Sequence, residues 1–172
     1  MFKEVKTDEL ILRRFKEDDA DKLYSNHKDP EVMKWIPNES YEDRNEARDA
    51  AAFFADCTDK EQLPFVLAIE HEGELIGDVG INEVEGCPGE VEAGYTVISK
   101  YKGRGYATKA LMSMAKLASS MFGVNTLYGR VMKGNDASVR VLEKNGFVFV
   151  KEEMNAEDDP YGNGMLVYKK VL

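Results

Sequence analysis

The chain has 172 residues, near the usual size of one domain, and a chain of that length buries about 70% of its unfolded surface, enough for one core. Asp and Glu outnumber Lys and Arg by 32 to 23, a net charge of −9, which argues against nucleic acid as the main partner because phosphate backbones are bound by basic faces. No run approaches the ~20 apolar residues of a membrane span, and Met1 to Glu9 is too polar for a signal peptide. Cys57 and Cys87 lie far apart with only His27 and His71 to help them, so no metal-ligand spacing exists and two free thiols in a cytoplasmic protein are expected. The surplus acid suits either cationic substrates or a solubilising surface.

From the N-terminus, Leu10 to Phe15 alternates like a strand, and Asp18-Asp19 precedes a helical pattern at Ala20, Leu23 and Tyr24 that Pro30 ends. A short piece from Glu31 to Ile36 leads through Pro37 to a helix over about Tyr41 to Asp56, with Ala47, Ala50, Ala51 and Phe54 inward. Phe65 to Ile69, Leu75 to Ile81 and Glu90 to Ile98 read as successive antiparallel strands joined at Glu72-Gly73 and at Gly86 to Gly89. A long helix follows, then strands at Val124 to Met132, Phe147 to Val150 and Met165 to Val171 with helical segments between. Strands in a run followed by helix-strand alternation predict an α+β fold, a mixed, mostly antiparallel sheet flanked by helices. The 172 residues contain no repeat or linker that would divide them, and the strand at Met165 to Val171 is either a pairing edge or one blunted by Lys169 and Lys170.

The densest signal lies between Glu90 and Met121. The turn Lys102-Gly103-Arg104-Gly105-Tyr106-Ala107-Thr108 opens a helix whose apolar positions, Ala107, Ala110, Leu111, Met114, Leu117, Ala118 and Met121, follow the 3.6-residue period. Glycines there let a ligand approach the backbone, and the first N–H groups of a helix, lacking internal partners, suit a phosphate. Thr108 stands where a dinucleotide fingerprint needs its third glycine, and no Gly-Lys-Ser/Thr occurs, so a nucleotide-binding domain is disfavoured.

Further on come Asn135, Ser138, Val141, Leu142 and Lys144-Asn145-Gly146-Phe147. Strand, basic Gly-x-Gly-x-Ala turn, long helix, strand, then Asn-x-x-Ser and Gly-Phe: in this order the chain resembles the GNAT superfamily of acyl-CoA-dependent N-acyltransferases. Leu10-Ile11-Leu12-Arg13 and Asp29-Pro30-Glu31-Val32-Met33 narrow the resemblance to the ribosomal-protein N-terminal alanine acetyltransferases, over roughly Thr7 to Tyr168. It implies the GNAT fold with acetyl-CoA as cosubstrate, whose pantetheine arm lies where the strands ending at Ile98 and starting at Val124 splay apart. It also implies backbone contacts at Val97, Ile98 and Ser99, and pyrophosphate against Lys102, Arg104, Gly105, Tyr106, Ala107 and Thr108. The Ile98 N–H is the expected donor to the thioester carbonyl.

Acyl transfer to an amine needs a neutral amine, a polarised carbonyl and a proton for the departing thiolate. Glu92, in Glu92-Ala93-Gly94-Tyr95, is the first candidate base, with an ion pair as its alternative role, and Glu83 the second. The tyrosine that many family members use as acid is matched by Leu142, which cannot donate. Ser138 and Asn135 remain beside it as catalytic candidates, and the resemblance implies that both face the pantetheine end of the cofactor, Asn135 also suiting the helix N-cap. Tyr95 and Tyr106 are further hydroxyl donors. A site with weak base machinery favours an α-amine, neutral in about one molecule of ten at pH 7, over a lysine amine, neutral in about one of a few thousand. The leading expectation is acetylation of a protein or peptide N-terminal amine. The alternatives are a small-molecule amine acetyltransferase for polyamines, aminoglycosides or amino acid derivatives, and an acyl-CoA-binding regulatory module without catalysis.

Overall fold

The structure, a computed structural model, describes residues 1–172. Its strands are β1 (Glu4–Lys6), β2 (Ile11–Arg13), β3 (Phe65–His71), β4 (Glu74–Glu83), β5 (Glu90–Val97), β6 (Thr126–Met132), β7 (Val148–Glu153) and β8 (Met165–Val171). The helices are α1 (Ala20–Asn26), α2 (Pro30–Trp35), α3 (Arg44–Asp59), α4 (Tyr106–Phe122) and α5 (Asp136–Lys144). All eight strands share one sheet in the order β1-β2-β3-β4-β5-β6-β8-β7, antiparallel except where β5 meets β6. This is the layered α+β architecture that the strand pattern predicts.

Strand alternation separates two cores. On β3, Phe65, Leu67 and Ile69 join the large core under α4, where Ala110, Leu111, Met114 and Ala118 are buried. Ala68 faces the other side, packing with Phe15, Leu23, Ala51 and Leu75 beneath α1 and α3. Helix ends follow local chemistry. Asp43 caps α3 by accepting the Glu46 N–H at 2.8 Å, and Val124 N–H returns to Ala118 O at 3.1 Å past Gly123 to close α4.

Three expectations need correction. Pro30 does not merely stop α1: it opens α2 at the first helical position, with Asp29 accepting the Glu31 N–H at 3.0 Å. β1 lies within Met1 to Glu9, where no element is predicted, because three residues are too short to carry a period. β8 is not an edge, since β6 and β7 pair on its two sides, and the edge is β7, where Val148, Phe149 and Val150 are exposed.

The site depends on one departure from regular pairing. β5 and β6 run parallel only from Glu90–Ala93 to Thr126–Gly129. Beyond that, β5 stays with β4 as far as Gly77↔Val97, while β6 stays with β8 as far as Met132↔Met165. A wedge opens between them. β4 and β5 are pressed close at Gly77, where a methyl group would overlap the Thr96 carbonyl. Gly77→Ala is therefore expected to lower stability by about 1–3 kcal/mol through overpacking against backbone that cannot yield. Chemical denaturation reads this as a lower midpoint at unchanged slope, and an unchanged midpoint would show that the strands part freely there.

Candidate active site

The wedge widens into a cavity of about 450 Å³ lined by β5, the Lys102–Thr108 turn, β6, α5 and the α2 segment. At its phosphate-compatible end, Gly105 holds φ at +80° and supplies no side-chain cap, so the first N–H groups of α4 are free to face a ligand. The space where a Cβ would stand is open at Gly94, Gly103 and Gly105, which leaves room for a ligand against the backbone at each. Val97, Lys102, Gly105, Tyr106, Ala107, Thr108 and Asn135 line the cavity as the sequence predicts, together with Glu92 and Ser138.

Ile98, Ser99 and Arg104 are not among the lining residues. Ile98 N–H already donates to Ile76 O at 3.0 Å, so it is not free to polarise a carbonyl. By strand alternation the groups that point into the wedge are the N–H and C=O of Val97 and Tyr95. Ser99 is likewise engaged, its N–H donating to Asp29 Oδ2 at 3.0 Å and its hydroxyl to Oδ1 at 2.6 Å, which ties the start of α2 to the turn. The Arg104 guanidinium stacks over Tyr101 at 5.3 Å, and Lys102 reaches Glu31 at 3.6 Å. Tyr106 turns its hydroxyl inward, 3.4 Å from His71 Nε2, and so is not a donor to the cavity. Glu83 is exposed at the end of β4 and neither cysteine lines the cavity.

At the middle of the cavity, Tyr95 Oη lies 2.7 Å from Ser138 Oγ and donates to Ser138 O at 3.1 Å. Burial pushes the Tyr95 phenol up to about 12, so it keeps its proton at neutral pH. Asn135 caps α5 by accepting the Ser138 N–H at 3.3 Å while also lining the cavity, so the cap is realised. Leu142 is fully buried against Gly129, which has no side chain to hold it off. The sequence places Tyr95 and Ser138 43 residues apart on a strand and a helix, and no spacing rule joins them.

The far end is acidic. Glu92 Oε1 stands 3.8 Å from Arg130 Nη1, and Arg130 is held by Asp158 at 2.6 and 3.0 Å and by Glu153 at 2.9 Å. Burial raises the Glu92 carboxyl above its ordinary range, Arg130 opposes this, and Asp158 and Glu153 push the same way as burial. Arg130, Asp158 and Glu39 were invisible as site residues, because each comes from a different segment with no motif around it. A second hollow shares Trp35 and Met132 with the cavity and is lined further by Lys34, Lys133, Tyr161 and Asn163.

Comparison with known proteins agrees with this geometry. The acetyltransferase (GNAT) domain profile matches residues 9–148. An uncharacterised N-acetyltransferase of Bacillus licheniformis is 29% identical over 147 residues, covering 85% of this chain and 82% of its own. An uncharacterised N-acetyltransferase of Bacillus subtilis is 27% identical over 148 residues, covering 86% and 84%. The crystal structure of a ribosomal-protein-S5-alanine acetyltransferase from Vibrio fischeri superposes with a TM-score of 0.85 at 16% identity, over 98% of this chain and 96% of that one. RimL, a ribosomal L7/L12 α-N-protein acetyltransferase solved with coenzyme A, gives 0.85 at 15% identity over 99% and 98%. The chain belongs to the GNAT acetyltransferase family. It is an N-acetyltransferase that takes its acetyl group from acetyl-CoA, and none of its helices is long and apolar enough to cross a membrane.

The open turn fits that cosubstrate, since free helix N–H groups and glycine backbone are what a pyrophosphate needs. Acetyl-CoA at about 100 times its Kd is expected to stabilise the protein by ~2.7 kcal/mol, and Gly105→Glu to abolish the rise by placing a carboxylate at the anion position. A thermal-shift titration beside ATP and NAD checks this; an equal rise in the variant would remove the turn from the binding site.

Proposed function

We propose that this enzyme acetylates the α-amine of a protein or peptide N-terminus by direct attack on the thioester, the whole chain acting as one catalytic domain. The observation that carries the reading is the Tyr95–Ser138 hydroxyl pair at 2.7 Å, set between the phosphate-compatible turn and the acidic end of one cavity. Acetyl-CoA supplies the acyl group as an activated thioester. Within the chain, the Val97 N–H polarises the carbonyl from the wedge, and the acidic end, with Glu92 among its carboxylates, draws the incoming ammonium and takes up its proton. Ser138 passes a proton to the departing sulfur and is replenished by Tyr95, which restores the acid that Leu142 lacks. Cys57 is buried and away from the cavity, which supports direct transfer without a cysteine-bound acyl group.

Two features favour a peptide acceptor. The hollow at Trp35 and Met132 extends the amine end outward, giving the residues after the first a place to lie. The S5-alanine and L7/L12 acetyltransferases, whose fold this chain shares, are named for ribosomal proteins, the latter as an α-N-protein acetyltransferase. An α-amine also presents far more neutral amine at pH 7 than a lysine side chain.

Thiol release measured with free-N-terminal peptides, N-blocked lysine peptides and spermidine is expected to give kcat/KM at least about tenfold higher for the first, the ratio expected from neutral-amine fractions being larger still. Faster turnover of lysine or spermidine would overturn the α-amine reading. Ser138→Ala is expected to lower kcat by roughly 10²–10⁴ with acetyl-CoA affinity retained, the range for loss of a general acid. Tyr95→Phe is expected to cost only about tenfold, the worth of one hydrogen bond.

A further inference from the structure

The cavity contains one carboxylate without an ion-pair partner. Four acidic side chains, Glu31, Glu39, Glu92 and Asp158, line it. Glu31 has Lys102 at 3.6 Å, and Glu92 and Asp158 share Arg130 at 3.8 and 2.6 Å. Glu39 pairs with no cation. It ends the short 3₁₀ turn Pro37–Glu39 between α2 and α3, where Pro37 limits the backbone and the Glu39 N–H donates to Ile36 O at 3.1 Å. Beneath this turn sits His27, 3% exposed, its Nε2 spent on Asp78 Oδ2 at 2.8 Å. Its Nδ1 is buried, directed toward the Glu39 backbone, and closes no hydrogen bond. Burial opposes charge on this ring, but Asp78 outweighs it and holds His27 above its ordinary value.

We infer, resting on the proposed α-amine reading, that Glu39 is the group that accepts the proton of the substrate ammonium, and that Glu92, already held by Arg130, positions the amine. Glu39 meets the requirements of such a base. It lines the cavity yet is solvent accessible, so a proton taken from the substrate has a route to water. The groups around it are Asp78 on β4, Glu92 on β5, Asp158 between β7 and β8, His27 at the end of α1, Tyr41 before α3, and Arg130 on β6, whose charge is spent on Asp158, Glu153 and Glu92. Glu39 keeps an open face to water, but the cavity wall strips water from the rest of its carboxyl, and this first, then Asp78, Glu92 and Asp158, push it up to about 7, against the pull of His27. An α-ammonium near 7.7–8.0 then lies about one unit above its acceptor, whereas an ordinary carboxylate would leave the transfer uphill by about a thousandfold.

The step balances. The ammonium R–NH₃⁺ gives one proton to the Glu39 carboxylate, and the amine lone pair forms the C–N bond as the C–S bond breaks. The proton that the amide nitrogen then sheds restores the Tyr95–Ser138 pair, which has delivered one proton to sulfur through Ser138, and the Glu39 proton leaves to solvent. Since Glu39 must be ionised to act, kcat/KM rises as pH passes upward through about 7. Stability follows the opposite course. A carboxyl raised on folding stabilises fully below its unfolded value near 4.5 and loses that contribution as pH rises through about 7.

The test is a pair of pH–rate profiles for Glu39→Gln and Glu92→Gln, with acetyl-CoA binding by thermal shift as the control for folding. Glu39→Gln is expected to lower kcat/KM by 10²-fold or more and to erase the limb near 7, with acetyl-CoA affinity unchanged. Its Tm at pH 8 should match or exceed that of the parent, and Glu39→Asp should recover part of the rate. Glu92→Gln should raise KM more than it lowers kcat and keep the limb. A limb that survives in Glu39→Gln, or vanishes only in Glu92→Gln, overturns the assignment. The profiles are run with whichever amine of the panel reacts fastest, so a preference for spermidine would sink the peptide reading and still test Glu39. A ¹³C-carboxyl NMR titration, assigned by Glu39→Gln, reads the group without turnover, and a midpoint near 4.5 would also overturn it.

Discussion

Two parallel strands that part after four paired residues organise everything else in this protein. If β6 continued beside β5, the backbone groups of Val97 and Tyr95 would be spent on the ladder and no cavity would exist. They part because each has a better partner: β5 stays with β4 through an antiparallel ladder whose closeness depends on Gly77, and β6 with β8 along its whole length. Unpaired strand groups are costly when buried, so the wedge calls for a ligand with its own amides, and the pantetheine arm of acetyl-CoA carries two. The same parting points the N-terminus of α4 into the opening.

Along the cavity the electrostatics change sign. The turn end presents helix N–H groups and suits anions, and at the opposite end Glu92, Asp158 and Glu153 share one arginine while Glu39 stands without an ion-pair partner. A chain of net charge −9 thus combines a glycine turn with Lys102 and Arg104 at one end of the cavity and an acidic wall at the other. The hydroxyl pair of Tyr95 and Ser138 sits between them, uncharged because burial keeps the phenol protonated. Leu142 fills the space against Gly129 as core.

Much of this was legible beforehand. The apolar alternation of β3 to β5 and the helical period of α4 placed the sheet and its main helix within a few residues, and Gly105, Ala107 and Thr108 do line the cavity. The reading failed where pairing is decided at a distance. β8 looked like an edge because nothing local announces that β7 will fold back onto it. Ile98 looked like the carbonyl donor because strand direction is readable from sequence, whereas which N–H groups face which neighbour depends on the register with Ile76.

By itself, then, the sequence determined the elements, the order in which they follow and the glycine turn that suits a phosphate, because periodicity, capping and backbone freedom are properties of residues a few positions apart. Only the tertiary structure decided which carboxylates are neutralised, which hydroxyls meet and which backbone groups stay open. Arg130 finds Asp158 28 residues away, Tyr95 finds Ser138 43 away, and His27 finds Asp78 51 away. Charge and proton chemistry depend on distances through space, and folding sets these by burying apolar faces that carry no record of the polar groups they bring together.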